Sequence, residues 1–125
     1  MADLSQTLAR REELNRRYVD EATPVAGEAG TGGVDHLALI SSDIERTILF
    51  YTDILGMQVT RIIQNRDEPT STHIFLDMGG GNMMAFFDFP EHGADPAVRG
   101  IGAMHHVALK ATKAQYQAVI RNLKD

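Results

Sequence analysis

The spacing of apolar residues along the chain predicts a series of short helices and strands. From Leu4 to about Asp20 the residues are strong helix formers with apolar positions loosely on one side, which predicts a short amphipathic helix. Residues 22–33 are rich in Gly and other small residues and have no periodicity, which predicts a flexible connection. The mostly apolar run Val34–Ile40 then fits a buried strand.

A helix and three further strands are predicted after this first strand. Ser42 and Glu45 have the spacing of a capping box, and apolar residues recur at helical spacing as far as Leu55. Gly56 suits the left-handed position that ends many helices. The next predicted elements are three strands, the last two joined by a Gly-rich hairpin turn: Met57–Ile63, Thr72–Met78 and Met83–Phe89. The predicted order is therefore β-α-β-β-β.

The segment His106–Leu109 repeats the start of the first strand. Its sequence, His-Val-Ala-Leu, corresponds to His36–Leu39, and the same offset of 70 positions places a second capping box, Thr112 with Gln115, where the first one lies. We therefore predict a second copy of the unit that opens like the first. Because only its strand and helix precede Asp125, we expect its remaining strands from a longer chain or a partner.

The composition narrows the possible functions. With 125 residues, 43% hydrophobic and 23% charged, the chain is typical of one soluble globular domain. A net charge of −5 argues against a nucleic-acid surface, and no run approaches the roughly 20 apolar residues of a membrane helix. The start also lacks the apolar core of a signal peptide, so we expect a cytoplasmic protein without nucleic-acid or membrane partners. Because there is no Cys, any metal must be held by nitrogen and oxygen ligands.

The repeat makes His36 and His106 the leading candidates for such ligands. A lone His in a strand is more often a core residue with satisfied hydrogen bonds. An ionisable ring at the same place in both copies is harder to explain by packing, and two pseudo-symmetric copies would bring both imidazoles to one cleft. Strand alternation points His105 the opposite way, which predicts that it is a structural residue or supports a metal ligand rather than being one itself.

Three further polar side chains are weaker candidates. His73 lies on the third predicted strand and faces either the cleft or the helix. Asp88 lies near the end of the fourth strand, where most carboxylates are solvated and a minority bind metal. His92 belongs to a Pro- and Gly-containing loop and is expected at the surface.

Residues 35–60, DHLALISSDIERTILFYTDILGMQVT, resemble the opening of a vicinal oxygen chelate module, as in glyoxalase I, bleomycin resistance proteins and extradiol dioxygenases. The resemblance continues through the GGGN turn to MHHVAL at 104–109 and covers residues 33–125. It implies an α+β fold in which paired βαβββ modules form an open, cupped mixed sheet. The chain then comprises an N-terminal helix and linker (1–33), a first module (34–103) and the incomplete start of a second (104–125).

The same resemblance implies one divalent metal that chelates two neighbouring oxygens of a small substrate. By motif match, His36 and His106 are its first-strand ligands, and a Glu beyond Asp125 is the expected third ligand, with Asp88 as the alternative. Fe(II) is the preferred ion, and nickel, zinc or manganese are alternatives. The resemblance also implies a homodimer, because a partner completes the open edges of such modules.

The residues of the fourth predicted strand discriminate among the activities found in this family. Lactoylglutathione lyases carry a Glu there, whereas this chain has Ala85, Phe86 and Phe87, which is more similar to the extradiol, catechol-cleaving dioxygenases. Those enzymes usually carry an acid–base His near this strand, whereas residues 82–89 contain none, and His73 is a candidate to replace it. Two alternatives stay open: a glyoxalase-like lyase or isomerase with Asp88 as a fourth ligand, and a metal-free protein of the bleomycin-resistance type that sequesters a cationic ligand.

Overall fold

The structure, a computed structural model, describes residues 3–23, 27 and 30–125. The chain divides into two compact units, residues 1–33 and 34–125. In the first unit, helix α1 spans Leu4–Asn15 and continues as a π-helical turn, Arg16–Asp20, which confirms the predicted helix. The Asp3 carboxylate caps α1 by accepting a hydrogen bond from the backbone N–H of Ser5 at 2.9 Å. Part of the predicted flexible connection, residues 24–26 and 28–29, lies outside the described residues.

The second unit is built on a four-stranded mixed sheet. Its elements are β1 (His36–Ser41), α2 (Ile44–Leu49, with a π-helical turn Phe50–Ile54), β2 (Gln58–Gln64), β3 (Thr72–Gly79), β4 (Asn82–Asp88) and α3 (Lys113–Lys124). The strand order is β1-β4-β3-β2; β1 and β4 are parallel and the other pairs antiparallel. The α+β fold class and the βαβββ order of the first module are confirmed. Across the described ranges, no helix is long and apolar enough to span a membrane.

The start of α2 differs from the prediction by one residue. Asp43, rather than Ser42, is the N-cap, and its carboxylate accepts from the backbone N–H of Arg46 at 3.0 Å. The Ser41 hydroxyl in turn accepts from the Asp43 N–H at 3.1 Å. The predicted Ser42–Glu45 capping box is therefore wrong, because the carboxylate one position later takes the N-terminal N–H group of the helix.

Helix α2 covers one face of the sheet and buries the core there. Ile74 and Leu76 on β3 are fully buried, and Met84 and Phe86 on β4 are nearly so. Apolar side chains of α2 and its π-helical turn pack against this cluster: Ile44, Ile48 and Tyr51. This face follows the predicted alternation of β3, which leaves His73, Phe75 and Asp77 on the opposite face.

The predicted second copy is present only in part. Helix α3 begins with the predicted capping box, in which the Thr112 hydroxyl and the Gln115 side chain each accept from the other residue's backbone N–H. The Asn122 amide donates to the Ile54 carbonyl at 3.1 Å and ties α3 to the end of α2. The predicted strand at His106–Leu109 is absent, because a strand needs a hydrogen-bonded neighbour and no described residue pairs with this segment.

Candidate functional site

The polar and aromatic side chains of interest lie on the face of the sheet opposite α2. We call this surface the histidine face; it is defined by His36 and Ala38 of β1, Met83, Ala85 and Phe87 of β4, His73, Phe75 and Asp77 of β3, and Arg61 and Ile63 of β2. The cross-strand register aligns these residues, because directly paired residues share a face. None of the β4 residues on this face is a carboxylate.

His36 is held in a defined orientation on the histidine face. Its Nδ1 lies 2.7 Å from an Asp35 carboxylate oxygen. That contact favours the tautomer with the proton on Nδ1, which leaves Nε2 with a free lone pair. Because the side chain is 39% exposed, its ring is accessible to an ion or substrate. A histidine that binds a metal through one ring nitrogen usually donates the N–H of the other nitrogen to a carboxylate or carbonyl, as His36 does here.

His73 also lies on the histidine face, which decides between the two orientations predicted for it. Its ring stacks on Phe87 with centroids 3.8 Å apart, and it contacts Phe75 at 4.2 Å. Its Nε2 is buried and has no hydrogen-bond partner among the described residues. Burial, with smaller contributions from the nearby charges of His36 and Arg61, lowers the pKa of His73. The ring is therefore neutral at pH 7.

Arg61 reaches this face because β2 is irregular at Thr60. A register shift between Val59 and Arg61 leaves Val59 opposite Leu76 on the α2 side and turns Arg61 to face Phe75. The Arg61 guanidinium carbon lies 5.9 Å from the centre of the Phe75 ring. Strict alternation would group Arg61 with Val59, so no pattern along the chain indicates that Arg61 lies on the histidine face.

Phe75 is the centre around which these groups are arranged. It is only 8% exposed, and the side chains around it are His36, His73 and Arg61. The His36 ring is 5.3 Å from the Phe75 ring, so Phe75 separates the histidine from the guanidinium. The face thus carries a candidate metal ligand and a cation on either side of one aromatic ring.

His106 is not brought to His36 in this structure. No hydrogen bond or ring contact joins the two residues within the described part of the chain. The His106 Nδ1 instead lies 2.7 Å from the Nδ1 of His105. The expectation that His105 points away from His106 is wrong, because this segment is not a strand and alternation does not apply. Nor do the described residues contain any group of three His, Asp or Glu side chains that could hold a metal.

Asp88 has a structural role in this fold. Its carboxylate accepts a hydrogen bond from the backbone N–H of Thr72 at the start of β3. Since Phe87 lies on the histidine face, alternation directs Asp88 to the α2 side of the sheet, away from His36. The arrangement therefore argues against Asp88 as a metal ligand. His92 lies in the loop after β4, as predicted, with its ring centroid 5.2 Å from that of Phe89.

Comparison with known proteins identifies relatives of this chain. The family model described as "Glyoxalase/Bleomycin resistance protein/Dioxygenase superfamily" matches residues 33–118. The chain is 27% identical over 77 residues to "Putative ring-cleaving dioxygenase MhqA" of Bacillus subtilis, covering 56% of this chain and 24% of that protein. It is also 27% identical over 99 residues to "Methylmalonyl-CoA epimerase, mitochondrial" of Mus musculus, covering 74% of this chain and 52% of that protein. The chain thus spans a quarter to a half of these relatives.

Two solved structures share the fold. A glyoxylase/bleomycin resistance protein/dioxygenase domain from Frankia superposes with a TM-score of 0.65 at 17% identity, covering 76% of this chain and 69% of that one. The E126Q mutant of the fosfomycin resistance protein FosX from Listeria monocytogenes, in complex with Mn(II) and 1S,2S-dihydroxypropylphosphonic acid, superposes with a TM-score of 0.55 at 17% identity, covering 75% of this chain and 68% of that one.

Proposed function

Because the chain belongs to the glyoxalase/bleomycin resistance protein/dioxygenase superfamily, we propose that it is a metal-dependent enzyme that chelates two neighbouring oxygens of a small substrate. The activity proposed is of the ring-cleaving dioxygenase type. The observation that carries this proposal is His36, which lies on the histidine face with its Nδ1 2.7 Å from an Asp35 carboxylate oxygen. The similarity to a ring-cleaving dioxygenase supports the reaction type.

The residues present fit part of a metal site. Neutral imidazole nitrogen is a good ligand for Fe(II), Mn(II), Ni(II) and Zn(II), and His36 has one nitrogen available. We propose His106 as the second ligand, moved from its contact with His105, and a carboxylate outside the described residues as the third. The preferred ion is Fe(II). When bound, such an ion supplies Lewis-acid stabilisation of substrate oxygens that lose a proton.

The protein's own side chains provide orientation and shelter from water. Asp35 holds the His36 ring through Nδ1, which makes Nε2 the nitrogen that would bind a metal. Phe75 lies next to this ring, and Phe87 stacks on His73 farther along the same face; both aromatic rings suit a planar apolar substrate. Since β4 presents Met83, Ala85 and Phe87 here rather than a carboxylate, fewer protein ligands compete with substrate oxygens for an ion.

A second candidate is an isomerase or lyase of the same superfamily. The alignment with methylmalonyl-CoA epimerase covers 74% of this chain, against 56% for the dioxygenase. The two candidates share the histidine ligands and differ in the ion and in the chemistry at the substrate. Metal identity therefore separates them.

The first prediction concerns metal content. Full-length protein purified without chelator or a nickel column is expected to contain near-stoichiometric iron by elemental mass spectrometry. His36→Ala and His106→Ala are each expected to lose it, because removing one imidazole from a site with few protein ligands removes most of the affinity. His92→Ala, which removes an imidazole from a surface loop, is the matched control and keeps its iron.

Other metal contents contradict the proposal in different ways. Nickel or zinc in the wild-type protein would favour the isomerase or lyase. No metal, even after anaerobic reconstitution with Fe(II), would overturn the metal-dependent proposal and favour a ligand-sequestering protein. Iron retained in His36→Ala would exclude this residue as a ligand.

The second prediction concerns Asp35. Asp35→Ala is expected to weaken metal binding by about 10- to 100-fold, because the carboxylate that orients His36 is lost. Asp95→Ala removes the same charge from an exposed loop and is expected to leave the Kd unchanged. Titration of apoprotein with Fe(II) under anaerobic conditions measures both. Equal affinities in the two variants would show that the contact between Asp35 and His36 is incidental.

A further inference from the structure

Arg61 is a cation on the histidine face without an anionic partner in the described part of the chain. The ion pairs of the described residues involve other arginines or His36: Arg10, Arg16, Arg17 and Arg66 among them. Arg61 lies on a β-strand with its guanidinium carbon 5.9 Å from the centre of the Phe75 ring and with no carboxylate at ion-pair distance among the described residues. Its planar guanidinium is suited to a carboxylate that approaches from outside.

The groups on the histidine face indicate how a negatively charged substrate would be oriented. His36 and Arg61 lie 5.3 Å and 5.9 Å from the centre of the same Phe75 ring, so a single-ring molecule placed over Phe75 would lie beside both groups. The Asp35 carboxylate contacts His36 at 2.7 Å, whereas the group at the other end is the Arg61 guanidinium. A substrate carboxylate is therefore better matched at the Arg61 end.

Between these two ends the surface is uncharged. His73 stacks on Phe87 with an interplanar angle of 19°, and its ring is neutral at pH 7. His73 therefore does not compete with Arg61 for an anion. Instead, this stacked pair adds a flat aromatic surface, which suits a planar ring.

We propose that the histidine face binds a planar aromatic substrate that bears a carboxylate, with the carboxylate on Arg61 and the neighbouring oxygens toward His36. This inference rests on the proposed function for the role of His36, and it adds the substrate class and the residue that selects it. The alternative, a neutral substrate such as catechol itself, leaves Arg61 without a role.

The test compares 3,4-dihydroxybenzoate with catechol as probes, by anaerobic isothermal titration calorimetry on metal-loaded full-length protein. Wild type is expected to bind the carboxylated probe about tenfold or more tightly than catechol, as a charge-assisted hydrogen bond allows. In Arg61→Gln this ratio is expected to fall to about one, with the affinity for catechol unchanged. Arg66→Gln removes a cation that is 92% exposed from the loop after β2 and is expected to keep the wild-type ratio.

The outcomes separate this inference from the proposed function. Equal ratios in wild type and Arg61→Gln, on protein that contains its metal, would overturn the role of Arg61 and leave the metal-dependent function standing. Chelator-treated protein is measured as well, with benzoate and phenol as probes. If the wild type holds no metal but shows an Arg61-dependent preference for benzoate, the anion site is supported and the proposed function is overturned.

Discussion

Replacing Phe86 with alanine lowers the free energy of unfolding by about 3–5 kcal/mol, the cost of removing a large aromatic side chain from a core. Phe86 is 5% exposed and lies in the cluster of β3 and β4 side chains beneath α2. Its ring contacts Tyr51 with centroids 4.9 Å apart. The truncation therefore leaves a cavity between the sheet and the helix that neither can close without losing other contacts.

Urea unfolding followed by circular dichroism measures this effect against a matched variant. Phe50→Ala removes the same atoms from a side chain that is 44% exposed, so we expect a loss of about 1 kcal/mol or less. Similar losses in the two variants would show that the core beneath α2 is not packed as described. Because the histidine face lies on the other side of the sheet, Phe86→Ala also tests whether the metal content depends on the stability of this core.

Replacing Asp88 with alanine is expected to lower the free energy of unfolding by about 1–3 kcal/mol without changing the metal content. The destabilisation arises because the partly buried N–H of Thr72 loses its acceptor at the start of β3. The metal content stays constant because Asp88 is directed to the α2 side of the sheet, whereas His36 is on the other.

Asp67→Ala is the control for Asp88→Ala, because it removes a carboxylate that is 82% exposed from the loop before β3. We expect this control to change stability by less than about 0.5 kcal/mol. Loss of metal from Asp88→Ala at a temperature where the variant is folded would instead identify Asp88 as a fourth protein ligand, as the lyase alternative requires.

Local sequence patterns are sufficient to predict most of the helices, strands and turns of the first module. The alternation of β3, the apolar spacing of α2 and the Gly-rich turn before β4 each depend on residues close in the chain, and all three appear where they were predicted. The Thr112–Gln115 capping box is equally local and is also confirmed. Local patterns do not determine the end of an element in the same way: the N-cap of α2 is Asp43 and not Ser42, because neighbouring polar side chains compete for the same N–H groups.

Local sequence patterns do not predict the features that depend on contacts between residues far apart in the chain. Whether His106–Leu109 forms a strand depends on a hydrogen-bonded neighbour, which the repeat does not supply. The orientation of His73 depended on which face of β3 the helix covers. Arg61 was not predicted at all, since a single irregularity at Thr60 changes the face of the residues that follow it.

The sequence by itself determined the βαβββ order, the position of His36 at the start of β1 and the membership of the family, because each follows from short-range spacing and motif. Only the tertiary structure decided which side chains share the histidine face with His36. That grouping depends on strand register, on one β-bulge and on the side of the sheet that α2 covers, and these are set by contacts between residues far apart in the chain.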